Sequence, residues 1–200
     1  MKIESVASRA DAKSLLRRAA HEERRSLPEA ARAAMSDAAA EVAAGLPEML
    51  KARTVHLYLP IPGSSELSTL PLIERLSEMR KTLLVPVIRQ GEIYSASFTT
   101  GDLLRAGQFG VPEPEFETID EDMAPDIVVL PLLAFDRRGG RLGSGKGFYD
   151  RYLLRLLKLG LRPVRLGIAF SVQRVEELPV ESWDQPLDAV VHEHGVERFN

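Results

Sequence analysis

The stretch 130–153, LPLLAFDRRGGRLGSGKGFYDRYL, constrains this chain more than any other part of it. It starts at the end of an apolar run, Ile127-Val128-Val129-Leu130, bounded by Pro125 and Pro131, which reads as a buried strand. It passes through a loop holding Gly139, Gly140, Gly143, Gly145 and Gly147. It ends in 148–159, where Tyr149, Tyr152, Leu153, Leu156 and Leu157 recur at helical spacing. Strand, glycine-rich loop and helix together let backbone N–H groups approach and hold phosphate oxygens. Charge points the same way. Arg137, Arg138, Arg141, Lys146, Arg151, Arg155 and Lys158 face a single acid, Asp150, in a chain whose formal net charge is -3. Such a local excess of cations attracts anions.

Gly140-x4-Gly145-Lys146 satisfies most of a phosphate-binding P-loop pattern, but Gly147 stands where a Ser or Thr hydroxyl should meet Mg²⁺. The metal then needs another ligand, and Asp150, in the first turn of the helix, is the nearest candidate. An ordinary P-loop is therefore not expected.

The string Phe135-Asp136 … Gly140-Arg141-Leu142-Gly143-Ser144-Gly145-Lys146-Gly147-Phe148-Tyr149-Asp150-Arg151 strongly resembles the signature of the 5-formyltetrahydrofolate cyclo-ligase family. Two further segments carry the resemblance along the chain. Phe109-Gly110-Val111-Pro112-Glu113-Pro114 is similar to the family's Phe-Gly-Ile-x-Glu-Pro, an extended stretch stiffened by two prolines and expected to pack. The tail from Leu178 to Val191 resembles the family's closing Pro, acid and Asp, with Trp183 where His is frequent.

The resemblance implies ATP and Mg²⁺ as cofactors and 5-formyltetrahydrofolate, free or polyglutamylated, as substrate. It implies Lys13-Ser14-Leu15-Leu16-Arg17 at the nucleotide phosphates, together with Arg141, Leu142, Gly143, Ser144, Gly145, Lys146, Gly147, Phe148 and Tyr149. It puts Pro60 and Glu66, with 144–148, at the folate, although the 60–66 loop is about two residues longer than usual. A carboxylate such as Glu66 can accept from the N–H edge of a pterin. The resemblance further implies that Arg141 and Lys146 stabilise charge on the transferring phosphoryl group and that Asp150 and Asp184 hold the metal. Phe148 and Tyr149 wall either folate or adenine, and the sequence leaves both roles open.

Composition sets the frame. Two hundred residues, 44% hydrophobic, suit one domain spanning 1–200, with an N-terminal helical pair at about 8–45 on an α/β core. The slightly acidic balance argues against nucleic acid or an anionic membrane as partner, and a monomer is expected. Without cysteine there is no disulfide, thiol or Cys-zinc chemistry. The first twelve residues do not read as a signal peptide and no apolar run reaches membrane length, so a cytoplasmic address is expected.

In chain order, 10–25 reads as a helix with Leu15, Leu16 and Ala19 inward and Lys13, Arg17 and Arg18 on a basic side. Ser26-Leu27-Pro28-Glu29 reads as a capping box opening a second helix to Ala44, stopped by Gly45. Strands are expected at 54–59, 82–88, 126–131, 164–170 and 188–192, with a hairpin through Gln90-Gly91 to 93–98 and a helix at 69–80. The acidic stretch 115–122 reads as solvated surface, and His192 and His194 as neighbours on one strand face. The pattern predicts an α/β sandwich with a largely parallel central sheet, the site lying where the 60–66 and 136–147 loops meet, and the family resemblance implies that this sandwich is three-layer and Rossmann-like. Two other functional classes fit the loop alone. One is a different nucleotide-dependent kinase or ligase. The other is a non-catalytic binder of folate or a phosphorylated metabolite, which has no reason to keep both Asp150 and Asp184.

Overall fold

The computed structural model of the chain describes residues 9–116, 118–119 and 124–199. Its helices are α1 (Arg9–Ser26), α2 (Glu29–Ala44), α3 (Pro47–Lys51), α4 (Leu70–Glu78) and α5 (Phe148–Lys158). The strands are β1 (Thr54–Leu57), β2 (Thr82–Arg89), β3 (Glu92–Phe98), β4 (Leu104–Ala106), β5 (Pro112–Pro114) and β6 (Ile127–Leu130). They continue as β7 (Ala134–Asp136), β8 (Arg141–Leu142), β9 (Val164–Ile168), β10 (Arg174–Val175), β11 (Ala189–His192) and β12 (Gly195–Arg198).

Seven strands form the main sheet in the order β12-β11-β9-β6-β1-β2-β3. The five inner strands run parallel, while β3 and β12 pair antiparallel at the two edges. Parallel strands covered on both faces read as unbroken apolar runs, and β6 is buried at all four positions. Alternate residues serve opposite layers. Ile127 and Val129 pack with Ala39, Ala40, Ala43, Met49 and Leu72 from α2, α3 and α4. Val128 and Leu130 pack with Tyr152, Leu153 and Leu156 of α5. The result is the expected three-layer α/β sandwich with a largely parallel sheet. No helix among the described residues is long and apolar enough to cross a membrane.

The hairpin at Gln90-Gly91 forms as expected, with φ of 52° and 78°. This is the left-handed pair that matches the twist of the flanking strands. Asp188 orders its neighbour strand by accepting the Arg165 N–H at 2.8 Å.

Several local expectations are corrected. The capping box at Ser26 does not form: the Ser26 hydroxyl donates back to the Glu23 carbonyl at 2.7 Å, and Pro28 occupies the N-cap. Gly45 does stop α2 after Ala44 as expected, in a right-handed conformation with φ -80°. On α1, Leu15 and Ala19 are exposed, and Ala20 and Arg24 are buried in their place. The reason is that the inner side of α1 lies over a cavity, toward which Lys13, Arg17, His21 and Arg24 are turned. His194 lies in the turn after β11, where its N–H donates to His192 Nδ1 at 3.2 Å. The two histidines therefore do not share a strand face. Residues 117 and 120–122 of the acidic stretch, and the first eight residues, lie outside the described residues.

Candidate active site

The glycine-rich loop is held by one carboxylate. Asp136, at the end of β7 and 2% exposed, accepts the Arg138 and Gly140 N–H groups on Oδ1 at 2.9 and 2.8 Å. Its Oδ2 accepts the Leu178 N–H at 2.9 Å and so ties the C-terminal segment to the loop. A Cβ at Gly140 would sit 2.8 Å from that oxygen. The loop is more ordered than its glycines suggest: β7 and β8 form a hairpin that β10 extends in parallel. Beyond it, Gly145 has φ +90°, and a Cβ there would meet the Arg17 guanidinium carbon at 2.9 Å. The backbone conformation favours glycine at this position, and any side chain there would also displace the Arg17 guanidinium. Gly147, also left-handed, then opens α5.

This loop closes one side of a cavity of about 480 Å³ at the C-terminal ends of β1 and β6. Helix α1 closes another side. Lys13, Arg17, His21 and Arg24 recur at helical spacing, and all four line the cavity. Three of the four are tied down. Lys13 Nζ donates to Asp184 Oδ2 at 2.7 Å, Arg17 Nε to the Gly143 carbonyl at 3.0 Å, and Arg24 Nε to Ser65 Oγ at 3.2 Å. Burial pushes the Arg24 guanidinium down from its ordinary value, against the opposing pull of Glu66.

The segment before β5 supplies the third wall. Glu113 is buried and accepts the Ile88 N–H at 2.8 Å and the Arg89 guanidinium at 2.9 Å. Four residues earlier, Phe109 has φ 61°, an unusual conformation for an aromatic residue. Its ring lies 3.0 Å from Lys146 Nζ and 5.8 Å from the Phe148 ring. The 109–114 stretch therefore packs through its prolines, as expected, and also delivers a ring to the cavity.

Two buried polar atoms on the cavity wall have no partner among the described residues: Arg141 Nε and the Tyr149 hydroxyl. Orphaned buried donors are costly, which makes them natural points for a ligand acceptor. Arg141 Nη2 donates to Asp150 Oδ1 at 2.7 Å, and its side chain is 5% exposed. Burial raises the Tyr149 hydroxyl well above its ordinary value, so it stays a protonated donor. Behind Tyr149, His56 is wholly buried and held down to about 3 by desolvation. Its Nδ1 lies 3.1 Å from Ser95 Oγ and 3.2 Å from the Tyr152 hydroxyl.

Of the residues expected at the site, Lys13, Arg17, Glu66, the whole of 141–149, Asp150 and Asp184 line this one cavity. Ser14 and Leu15 are exposed on α1, Leu16 packs in a small cluster with Ala134, Leu142 and Leu178, and none of the three lines it. Pro60 does not line it either, although Leu59 and Ile61 on both sides do. Sequence reasoning missed His21 and Arg24, whose signal was the continued spacing from Lys13 and Arg17. It also missed Tyr58, Phe109 and the anchoring role of Asp136. The donor set suits Mg²⁺, which takes one or two carboxylates and completes its shell with water and phosphate. Asp150 and Asp184 each engage one oxygen with a cation, through Oδ1 and Oδ2 respectively, and each has a second.

Comparison with known proteins finds relatives over most of the chain. The model of the 5-formyltetrahydrofolate cyclo-ligase family matches residues 9–193. The 5-formyltetrahydrofolate cyclo-ligase of Escherichia coli (strain K12) is 38% identical over 152 residues, covering 72% of this chain and 80% of that one. The enzyme of the same name from Mycolicibacterium smegmatis is 37% identical over 190 residues, covering 90% and 92%. The solution structure of 5,10-methenyltetrahydrofolate synthetase from Aquifex aeolicus superposes with a TM-score of 0.79 at 35% identity, covering 94% of this chain and 93% of that one.

Proposed function

This chain belongs to the 5-formyltetrahydrofolate cyclo-ligase family, and on that premise we propose that it closes the ring of 5-formyltetrahydrofolate to 5,10-methenyltetrahydrofolate at the expense of ATP, with Mg²⁺. The formyl oxygen on N5 attacks the γ-phosphorus and ADP leaves. The folate's N10 then bonds to the activated formyl carbon and loses its proton. The C–O bond breaks, and the former formyl oxygen departs in inorganic phosphate.

The observation that best supports this reading is convergence. Lys13, Arg17, Arg141 and Lys146, with the amides of the glycine loop, surround the same cavity as two aspartates. Phosphoryl transfer asks little of a protein beyond positioning and charge stabilisation. Arg141 and Lys146 meet the charge that develops on the phosphoryl oxygens, while Lys13 and Arg17 orient the nucleotide. Asp150 and Asp184 would hold Mg²⁺, which when bound neutralises phosphate charge and aligns the transferring group. Glu66 is the acceptor for the pterin N–H edge, and the buried Tyr149 hydroxyl is a donor to the bound substrate. We further assign the chain to a single domain acting as a monomer in the cytoplasm.

The test is the near-ultraviolet absorbance of purified protein with 5-formyltetrahydrofolate, ATP and Mg²⁺. The methenyl chromophore should rise only with all three present. A rise without ATP would refute the phosphorylated intermediate, and no rise at all would refute the activity.

A further inference from the structure

Trp183 is the only tryptophan in the chain, and it is 61% exposed on the cavity wall. An indole left in water at the mouth of a cavity offers a large apolar face to a flat ligand. The backbone that carries it is already fixed. The Asp184 N–H donates to the Glu181 carbonyl at 3.1 Å, closing a turn over 181–184, and the Glu181 N–H donates to Asp184 Oδ2 at 2.8 Å. The same turn touches both groups of cations. Asp184 accepts from Lys13, and the Gln185 N–H donates at 3.1 Å to Asp150 Oδ1, which also takes Arg141. The cavity also has an apolar part, lined by Leu59 and Pro131 just after the central strands β1 and β6 and by Ile88 and Ile93 of β2 and β3. The indole thus stands beside the cations suited to phosphates and is exposed to water, a position from which it can meet a base extending from bound phosphates.

We propose that Trp183 is the stacking platform for the purine base of the nucleotide substrate. The assignment rests on the ATP-dependent reading above. Stacking a base on an aromatic side chain discriminates little between purines, because each has a π-face. Its loss lowers nucleotide affinity about tenfold to a hundredfold.

The single tryptophan makes the test direct. Emission of the protein should change saturably on adding ADP or GDP, and should not change with inorganic tripolyphosphate, which fills the cation site without a base. In turnover assays, Trp183→Ala should raise the KM for ATP about tenfold or more, leave the KM for 5-formyltetrahydrofolate within about twofold, and be largely rescued by Trp183→Phe. Three results would overturn the platform: an unchanged KM for ATP, a rise in the folate KM instead, or an equal emission change with tripolyphosphate. If wild-type protein consumed no ATP and equilibrium dialysis detected no nucleotide binding, the functional reading itself would fall. Normal ATP-dependent turnover in Trp183→Ala with an unchanged KM would sink the platform alone.

Discussion

Asp136→Asn is the most informative single substitution, because it changes one atom in a buried anchor and leaves the shape of the loop's support intact. In the native protein, one carboxylate, 2% exposed, receives three backbone N–H groups, from Arg138, Gly140 and Leu178. An asparagine can keep its oxygen toward Arg138 and Gly140, but its amide nitrogen then faces the Leu178 N–H, donor against donor. One charge-assisted bond is lost, about 1.5–3 kcal/mol, and the two that remain weaken toward neutral strength, about 1 kcal/mol each. Together these give roughly 4 kcal/mol of destabilisation. For a chain of this size about 2–4 °C accompanies each kcal/mol, so the melting midpoint should fall by about 8–16 °C. Circular dichroism on heating measures it. Amide exchange at Gly140 and Leu178 should accelerate in the folded state, and the KM for ATP should rise as the loop loosens. A midpoint within about 3 °C of wild type, with unaltered exchange at those two amides, would refute the claim that Asp136 holds the loop.

Three further outcomes are expected. Asp150→Asn should lower turnover at least about tenfold while the thermal midpoint stays near wild type, and near-normal activity at ordinary Mg²⁺ would remove Asp150 from the metal site. Lys146→Ala should weaken catalysis and ATP use without melting α5, as judged by far-ultraviolet circular dichroism, and intact ATP use would contradict the anion cradle. His56 is held down to about 3 by burial, against an ordinary 6.5. The unfolded chain therefore takes up a proton below pH 6.5 that the folded protein refuses until about 3, and stability should fall as pH drops through that window. The slope from this group is about 1.4 kcal/mol per pH unit, so His56→Asn should flatten the urea-denaturation stability curve between pH 6 and about 4. Parallel curves for the two proteins would count against a neutral, desolvated His56.

Legibility in the sequence follows the range of the interactions. The apolar run at 127–130, the punctuating prolines and the 148–159 periodicity are local signals, and they define strand, loop and helix without reference to the rest of the chain. The hairpin at Gln90-Gly91 is as local, since a two-residue turn of that composition sets its own backbone. The motif residues from Arg141 to Asp150 were legible for the same reason: they are contiguous, and their placement at one cavity needs only the loop itself.

What the tertiary structure decided are the pairings across the chain. Lys13 meets Asp184 across 171 positions, and Asp136 holds Leu178 across 42. No periodicity within either segment encodes the other end of such a bond. The inward face of α1 is the clearest case. Hydrophobic spacing selects Leu15 and Ala19, but the helix lies over a cavity that takes Lys13, Arg17, His21 and Arg24 instead. Phe109 reaches the site from a left-handed backbone that an aromatic residue seldom adopts, in a segment whose Glu113 is buried and bonded to Ile88 of β2. The sequence by itself determined the long helices, the strands of the parallel core and the glycine-rich loop, through propensity, periodicity and glycine. Which side chains surround that loop was left to long-range burial and charge pairing, forces that act only once the sheet has brought distant segments together.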